Sequence, residues 1–457
     1  MDSPPPLPQT YGSPRWSAEI ADCSVPMTFD QYSACSYRCL YCFSFYQRSL
    51  GSAKQSYLSH NVRSVNPEAV KAIFTGADAW SPSDPDAWDL RGSRQFYPYI
   101  KAGLMMQWGG LSDPFDETER RYGIGLDLLR FFRARRQPIT FSTKGAWWTE
   151  DPRYVEVFQG ADHFHLKVSI VTLDPEVARK VEVLCPSPQE RLAALRRAAS
   201  WGLGGVTLRL RPFILGISSR DYEDLIRAAA DAGVDSVTTE FYCLEQRARL
   251  ARRRIAAMSR IAHVDLLDLY RRYSAGRQGY LRLSRPVKQP YIERMAALCD
   301  SLGLRFYVSD ADFKEYCANA SCCGIPPSMP YSRGHFTYAL LFARDTGRVR
   351  WSDIAPGLAY LARFRWGLAS GFNTRSAIAR ADLRDLTMFD WLRRLWNNPN
   401  AANSPYKYFG GVLVPEGRDE HGDVIYVYRG PPLPSRSLPD EDRSAVSIFE
   451  EDLKHVR

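Results

Sequence analysis

The sequence predicts an α/β fold: a partial, TIM-like (βα)6 barrel followed by an α+β C-terminal extension. Three observations lead there. Between residues 25 and 245, six short runs rich in Val, Ile, Leu and Phe alternate with helical patterns, the rhythm of βα units around a parallel sheet. The two stretches richest in chemistry, a cysteine triplet and a Gly-Gly pair, both follow predicted strands, the end of such a barrel where active sites are built. Beyond Cys243 the alternation gives way to an Arg-rich helical stretch and then to text rich in Trp, Tyr and Arg. The expected division is a flexible N-terminal segment (1–24), the barrel (25–245), a basic helical extension (246–330), and a C-terminal extension with a flexible tail (331–457).

Each element has its own signal. Pro4-Pro5-Pro6 and scattered Ser mark 1–24 as loosely attached. A first strand falls at 27–32, and a helix follows at 67–74 with Pro67 at a first-turn position. Residues 76–100 read as an irregular insertion. A second strand, 104–108, ends in Gly109-Gly110, and one helix is expected over 117–136. Strands at 138–143 and 163–171 come next. Ser187 with Glu190 three residues on is a capping box for a helix running to Ser200. A fifth strand spans 206–215, a helix 219–232, and a sixth strand 234–243. The pattern then predicts one long helix over 247–273, a helix and strand within 290–310, and strand-like text at 412–414 and 424–428.

The chain has 457 residues, 45% hydrophobic and 24% charged, ordinary for a globular protein. No apolar run approaches the roughly 20 residues of a membrane span, and the N-terminus lacks the basic-then-apolar pattern of a signal peptide. A cytoplasmic location without membrane association is expected, in which ten cysteines stay reduced and clustered ones point to metal. The net charge of +9 is concentrated: residues 247–294 hold thirteen Arg or Lys against three acidic residues. Such a local excess, interleaved with Tyr270, Tyr273, Tyr280 and Tyr291, is a candidate surface for phosphates and unpaired bases.

The triplet Cys35-Ser-Tyr-Arg-Cys39-Leu-Tyr-Cys42 brings three thiols onto one loop. Soft thiolates suit zinc or an iron–sulfur cluster. A structural site would want a fourth protein ligand, and no Cys or His follows before His60, so one metal position is left open. Gly109-Gly110 after a strand allows close backbone approach. His163 and His165 share one face of the fourth strand and read as core or pocket-lining residues.

The triplet, with Tyr41 before its last Cys, resembles the signature of radical S-adenosylmethionine (SAM) enzymes. The ordered series Trp108-Gly-Gly-Leu-Ser-Asp-Pro-Phe115, Phe141-Ser-Thr-Lys144, Val168-Ser-Ile-Val-Thr-Leu-Asp-Pro175, Pro186-Ser-Pro-Gln-Glu-Arg-Leu192 and Arg211-Pro-Phe-Ile-Leu-Gly216 is similar to the spore photoproduct lyase-like, DNA repair photolyase-like branch, over residues 25–245. The resemblance implies a radical SAM barrel. In it Cys35, Cys39 and Cys42 hold a [4Fe-4S] cluster whose fourth iron takes SAM, and Gly109 and Gly110 meet the SAM amino group. It further implies that Ser169 meets the SAM ribose or carboxylate, that Arg191 pairs with the carboxylate, and that Tyr41, Thr143 and Lys144 line the same site.

A second group, Cys317, Cys322 and Cys323, leaves three readings open: an auxiliary iron–sulfur cluster with Cys299 or His335 as a further ligand, a hydrogen donor to a substrate radical, or a zinc staple. Cys23, Cys185 and Cys243 read as isolated small hydrophobes. The expected activity is of lyase or isomerase type: SAM cleavage to a 5′-deoxyadenosyl radical, which abstracts hydrogen from a nucleic-acid base, a pyrimidine in DNA, for repair or viral DNA hypermodification. DNA and a flavodoxin- or ferredoxin-type electron donor are the expected partners. Alternatives are a radical SAM maturase of a peptide or natural product and a zinc-dependent nucleic-acid-binding protein.

Overall fold

The computed structural model describes residues 6–9, 14–17, 21–44, 62–81, 83, 90–246, 249–274, 280–361 and 386–431. Its strands in chain order are β1 (Arg15–Trp16), β2 (Met27–Phe29), β3 (Met106–Trp108), β4 (Ile139–Thr143), β5 (Phe164–Ser169), β6 (Gly205–Phe213), β7 (Ser236–Phe241), β8 (Leu244–Glu245), β9 (Tyr280–Leu281), β10 (Arg305–Val308), β11 (Arg348–Val349), β12 (Leu413–Arg418) and β13 (Val424–Tyr428). The main sheet has eight strands in the order β1-β2-β3-β4-β5-β6-β7-β10, parallel from β2 onward, with β1 antiparallel at one edge. Helices Ile124–Arg135, Pro152–Phe158, Pro188–Ala199, Tyr222–Asp231 and Arg285–Ser301 connect the strands. This is the partial α/β barrel with an α+β extension.

Strand composition explains the layering. In β5, Phe164, Leu166 and Val168 alternate with His165, Lys167 and Ser169, and all six are buried. The apolar set joins the aromatic packing of Phe141, Phe158 and Trp148 under the helices. The polar set looks into the barrel. Side-chain hydrogen bonds run from strand to strand on that inner face: Thr140 to His165, His165 to Thr207, and Thr207 to Ser236, each at 2.8 Å. His165 is therefore a lining residue, bonded on both ring nitrogens.

Several expectations are corrected. Within 1–24, Arg15 and Trp16 pair with Thr28 and Met27, and Trp16 is buried with its indole nitrogen 2.8 Å from Gln95 Oε1. An edge position and one large aromatic are enough to anchor a segment of loop-like composition. Of 76–100, residues to Ala79 extend the helix Pro67–Ala79, and Gly92–Phe96 and Tyr97–Lys101 are helical turns. The expected helix 117–136 is two, Glu117–Tyr122 and Ile124–Arg135. Gly123 is left-handed at φ +65°, and the buried Glu119 carboxylate caps the second through Gly125 N (2.8 Å) and Leu126 N (2.9 Å). The stretch 247–273 likewise breaks at His263 (φ +55°), with Asp265 capping Leu266–Tyr273. Most of the expected flexible tail, 432–457, lies outside the described residues.

The barrel text does not stop at 245, because β10 extends the sheet beside β7. The segment that follows crosses the N-terminal ends of the strands. Gly324 O accepts from Thr207 and Ser236, Cys322 O accepts from Thr238 (2.7 Å) and Ser309 (3.3 Å), Met105 N donates to Pro330 O (3.1 Å), and Ser332 N to Ser24 O (2.9 Å). Residues 317–332 thus form the floor of the barrel. Beyond them, β11, β13 and β12 make a small antiparallel sheet, on which Trp396 packs by donating to Val424 O at 2.7 Å.

Candidate functional site

The cysteine loop leaves the C-terminal end of β2 and is pinned from three sides. Ser36 N donates to the Asp116 carboxylate at 2.6 Å and Tyr37 OH to Phe115 O at 2.9 Å. Leu40 N donates to Val181 O (2.8 Å), and Leu184 N to Tyr37 O (3.2 Å). The tight turn puts Arg38 at φ +52° and closes with Cys42 N on Cys39 O at 3.2 Å. Cys39 is buried, while Cys35 and Cys42 are half-buried. Around one tetrahedral zinc, thiolates sit about 3.8 Å apart, from a Zn–S bond of about 2.3 Å. Cys35, Cys39 and Cys42 do not gather within 4.8 Å of one another.

Cys39 has a neighbour that sequence reasoning missed. Cys185 Sγ lies 3.6 Å from Cys39 Sγ, and Glu182 completes a group whose ligand atoms all fall within 4.8 Å. The pair shares a proton: the hydrogen bond from Cys185, followed by the charge of Lys144, lowers the Cys39 thiol, and burial raises that of Cys185. Burial opposes charge on Lys144, but Cys39, Glu182 and Cys185 hold it protonated, with its Nζ 5.6 Å from the Tyr41 ring centroid. Tyr41 OH donates to Glu182. With Cys39 and Cys185 146 positions apart, no spacing signal could reveal this contact.

Two of the implied cofactor residues have partners within the protein. Arg191 is fully buried, with Nη2 2.5 Å from Glu182, Nη1 2.7 Å from Ser169 O and Nε 3.4 Å from Ser187 O. Its guanidinium braces the surroundings of the cysteine loop. The Thr143 hydroxyl donates to Asp113 (2.6 Å) and accepts from Gly145 N (2.7 Å), while Asp113 also takes Lys144 N at 2.6 Å. Thr143 is a strut of the β4 loop, buried and without a free donor. Gly109 and Gly110 stand at the end of β3 as expected. Gly109 has φ +88°, and a Cβ there would sit 2.6 Å from Ser142 O; one on Gly110 would meet Arg15 Nη2 at 2.8 Å. The protein's own packing therefore uses this clearance. Asp30, ion-paired with Arg15, ties the Gly-Gly loop to β2 through Leu111 N (2.9 Å) and Ser112 N (2.8 Å).

The barrel lumen opens beside this loop. Inward-facing positions carry Lys167 on β5, Arg209 and Arg211 on β6, and Glu240 on β7, a set that the strand text of 163–171, 206–215 and 234–243 contains but that sequence reasoning passed over. Lys167 Nζ donates to Gln107 Oε1 (2.6 Å), Arg209 Nη1 to Ser169 Oγ (3.1 Å) and Arg211 Nη1 to Ser309 Oγ (3.0 Å), and Arg211 is ion-paired with Glu240. Ser169 thus shares this inner face through its bond with Arg209.

The second cysteine group divides. The Cys317 thiol is tied to β10, 3.2 Å from Val308 N and 3.3 Å from Val308 O, and burial raises it to about 12. Cys322 hydrogen-bonds to Cys323. That bond, helped by Lys167, lowers Cys323 to about 5, and Cys322 is raised. Cys299 is buried on its helix, and His335 lies among Asp22 and Lys314. Among the described residues, these five do not form a metal-spaced group.

The basic stretch is narrower than its composition. Tyr270 and Tyr291 are buried core residues, so they cannot stack on bases. Lys288 pairs with Asp310 and Asp312, Arg285 with Glu315, and Arg294 with Glu223. Arg252, Arg253, Arg260 and Arg271 remain exposed, with Tyr280 nearby in sequence. Arg254, on the same helix as the first three, reaches Cys39 O at 3.5 Å. No described helix is long and apolar enough to cross a membrane.

No family profile matches the chain. Uncharacterized proteins of Mycobacterium tuberculosis and Mycobacterium bovis are 30% identical to it over 133 residues, 28% of this chain and 38% of theirs, so the chain spans well under half the length of these relatives. Among solved structures, a spore photoproduct lyase variant overlays with a TM-score of 0.44 at 18% identity, covering 62% of this chain and 76% of that one. Streptococcus suis SuiB bound to S-adenosylmethionine overlays with a TM-score of 0.34 at 12% identity, covering 64% of this chain and 61% of that one.

Proposed function

We propose that the chain is a radical SAM enzyme acting on a nucleic-acid base, by a lyase- or isomerase-type reaction on a pyrimidine in DNA. The observation that carries the reading is the cysteine loop: three thiols, braced by contacts to Phe115, Val181 and Leu184, at the C-terminal mouth of a parallel barrel. Cys35, Cys39 and Cys42 would hold a [4Fe-4S] cluster, and the Gly109 backbone, Tyr41, Lys144 and Ser169 would meet SAM. When bound, this pair of cofactors supplies one-electron cleavage of SAM to methionine and a 5′-deoxyadenosyl radical. The chain's own residues orient and shield it. Arg191 and Glu182 fix the loop from behind, Lys144 offsets thiolate charge at Cys39, and the 317–332 floor keeps water from entering below. The hydrogen-bonded Cys322–Cys323 pair is assigned the hydrogen-donor role in preference to an auxiliary cluster. Exposed Arg252, Arg253 and Arg260 supply phosphate contacts, and an electron donor of flavodoxin or ferredoxin type completes the system.

The test is anaerobic purification with iron and sulfide counts, then reduction with dithionite in the presence of SAM. Near four irons per chain and formation of 5′-deoxyadenosine are expected, both lost in Cys39→Ala. Zinc in place of iron, or an intact cluster that leaves SAM uncleaved, would sink the reading.

A further inference from the structure

The inner face of the barrel has two polar layers with different bookkeeping. The lower layer, Thr140, His165, Thr207 and Ser236, closes on itself through neutral hydrogen bonds. The upper layer carries three cations, Lys167, Arg209 and Arg211, on neighbouring strands. Lys167 has Gln107 and Arg209 has Ser169 as hydrogen-bond partners, both neutral. Among the described residues, the carboxylate ion-paired with any of the three is Glu240, on Arg211. Lys167 is 2% exposed, whereas Arg211 and Glu240 keep about a quarter of their side-chain surface open, so the layer faces an accessible space.

Like charges taken out of water and left short of counter-ions call for an anion. Glu240 offsets only one of the three cations by direct pairing, so the layer keeps an excess of positive charge. The strain is visible in Lys167, which burial, then Arg209 and Arg211, lower to about 8, and in Arg209, lowered to about 10 by burial and Arg211.

We propose that Lys167, Arg209 and Arg211 form an oxyanion subsite in the lumen that grips one singly charged phosphodiester of the substrate. Guanidinium forks match phosphate oxygens geometrically, and a lysine adds a point charge. The assignment of the anion to a phosphodiester rests on the nucleic-acid reading above; the excess of positive charge does not. The subsite would hold the substrate beside Cys323 and below Ser169, so the base bonded to that backbone reaches the mouth where the cysteine loop lies.

The experiment uses the full chain, cluster-loaded and anaerobic, and titrates it by calorimetry with the dinucleotide TpT and with thymidine. TpT is expected to bind at least about ten-fold more tightly, as charge-assisted hydrogen bonds to one group imply. Lys167→Met and Arg209→Met should each remove most of that difference, and Lys167→Met should leave SAM affinity unchanged. If the methionine variants fail to fold, Arg209→Lys, which keeps the charge but loses the fork, should still weaken TpT several-fold. Equal binding of TpT by wild type and variants overturns the proposal. So does weakened SAM with TpT unaffected, which would give the subsite to the cofactor carboxylate. Iron content and 5′-deoxyadenosine yield of the same samples report separately on the radical chemistry, so either idea can fail alone.

Discussion

At the scale of single residues, the site is built from groups that support the cysteine loop rather than from the loop alone. Arg191, implied to meet a ligand carboxylate, is ion-paired with Glu182 and fully buried. A buried pair is a weak source of net stability, but removing one partner leaves the other charge stranded, at about 3–5 kcal/mol. Glu182→Gln is therefore expected to lower unfolding free energy on that order, measured by urea titration under argon. The double variant Glu182→Gln with Arg191→Met should recover much of the loss. A single variant as stable as wild type would show that Arg191 finds another counter-charge.

At the scale of elements, the C-terminal extension is joined to the barrel through polar contacts around Asp22. Asp22 is ion-paired with Lys314 (3.0 Å) and accepts from Tyr408 OH (3.0 Å) and from Thr337. His335 sits beside them at the start of the helix Phe336–Thr346, buried, with neither ring nitrogen hydrogen-bonded. Burial, then the charge of Lys314, lower its pKa to about 4. An unfolded chain protonates this residue below about pH 6.5, and the folded one resists until about 4. In that window the unfolded state binds more protons, so stability falls as pH falls. Thermal melts between pH 7 and 4.5 should show the decline, and His335→Leu should flatten it. An unchanged slope would place the titration elsewhere.

At the scale of the whole molecule, the barrel is closed by chain that lies far beyond its six βα units. The floor 317–332 sits under the lumen, and Gly324 is its tightest point: φ is +80°, and a Cβ would meet the Thr207 side chain at 2.8 Å. Gly324→Ala combines a left-handed backbone with overpacking, each worth about 1–3 kcal/mol. A drop in melting temperature of several degrees is expected, together with faster hydrogen exchange at Thr207 and Ser236. Exchange unchanged at those amides would mean that the floor does not brace the strands.

The sequence alone determined the strand–helix alternation, the cysteine loop and Gly-Gly at strand ends, and the Ser187 capping box. These signals are local: periodicity, caps and spacing act over a few residues, so they survive in one-dimensional text. The tertiary structure decided what lies against the loop. It brought Cys185 and Glu182 to Cys39, turned Arg191 and Thr143 into supports, buried Tyr270 and Tyr291, split the second cysteine group, and drew β10 and 317–332 into the barrel. Those outcomes depend on which distant side chains share a buried volume. Charge pairing and close packing settle that only once the chain is folded, which is why Lys167, Arg209 and Arg211 read as strand text in the sequence and as one cationic layer in the fold.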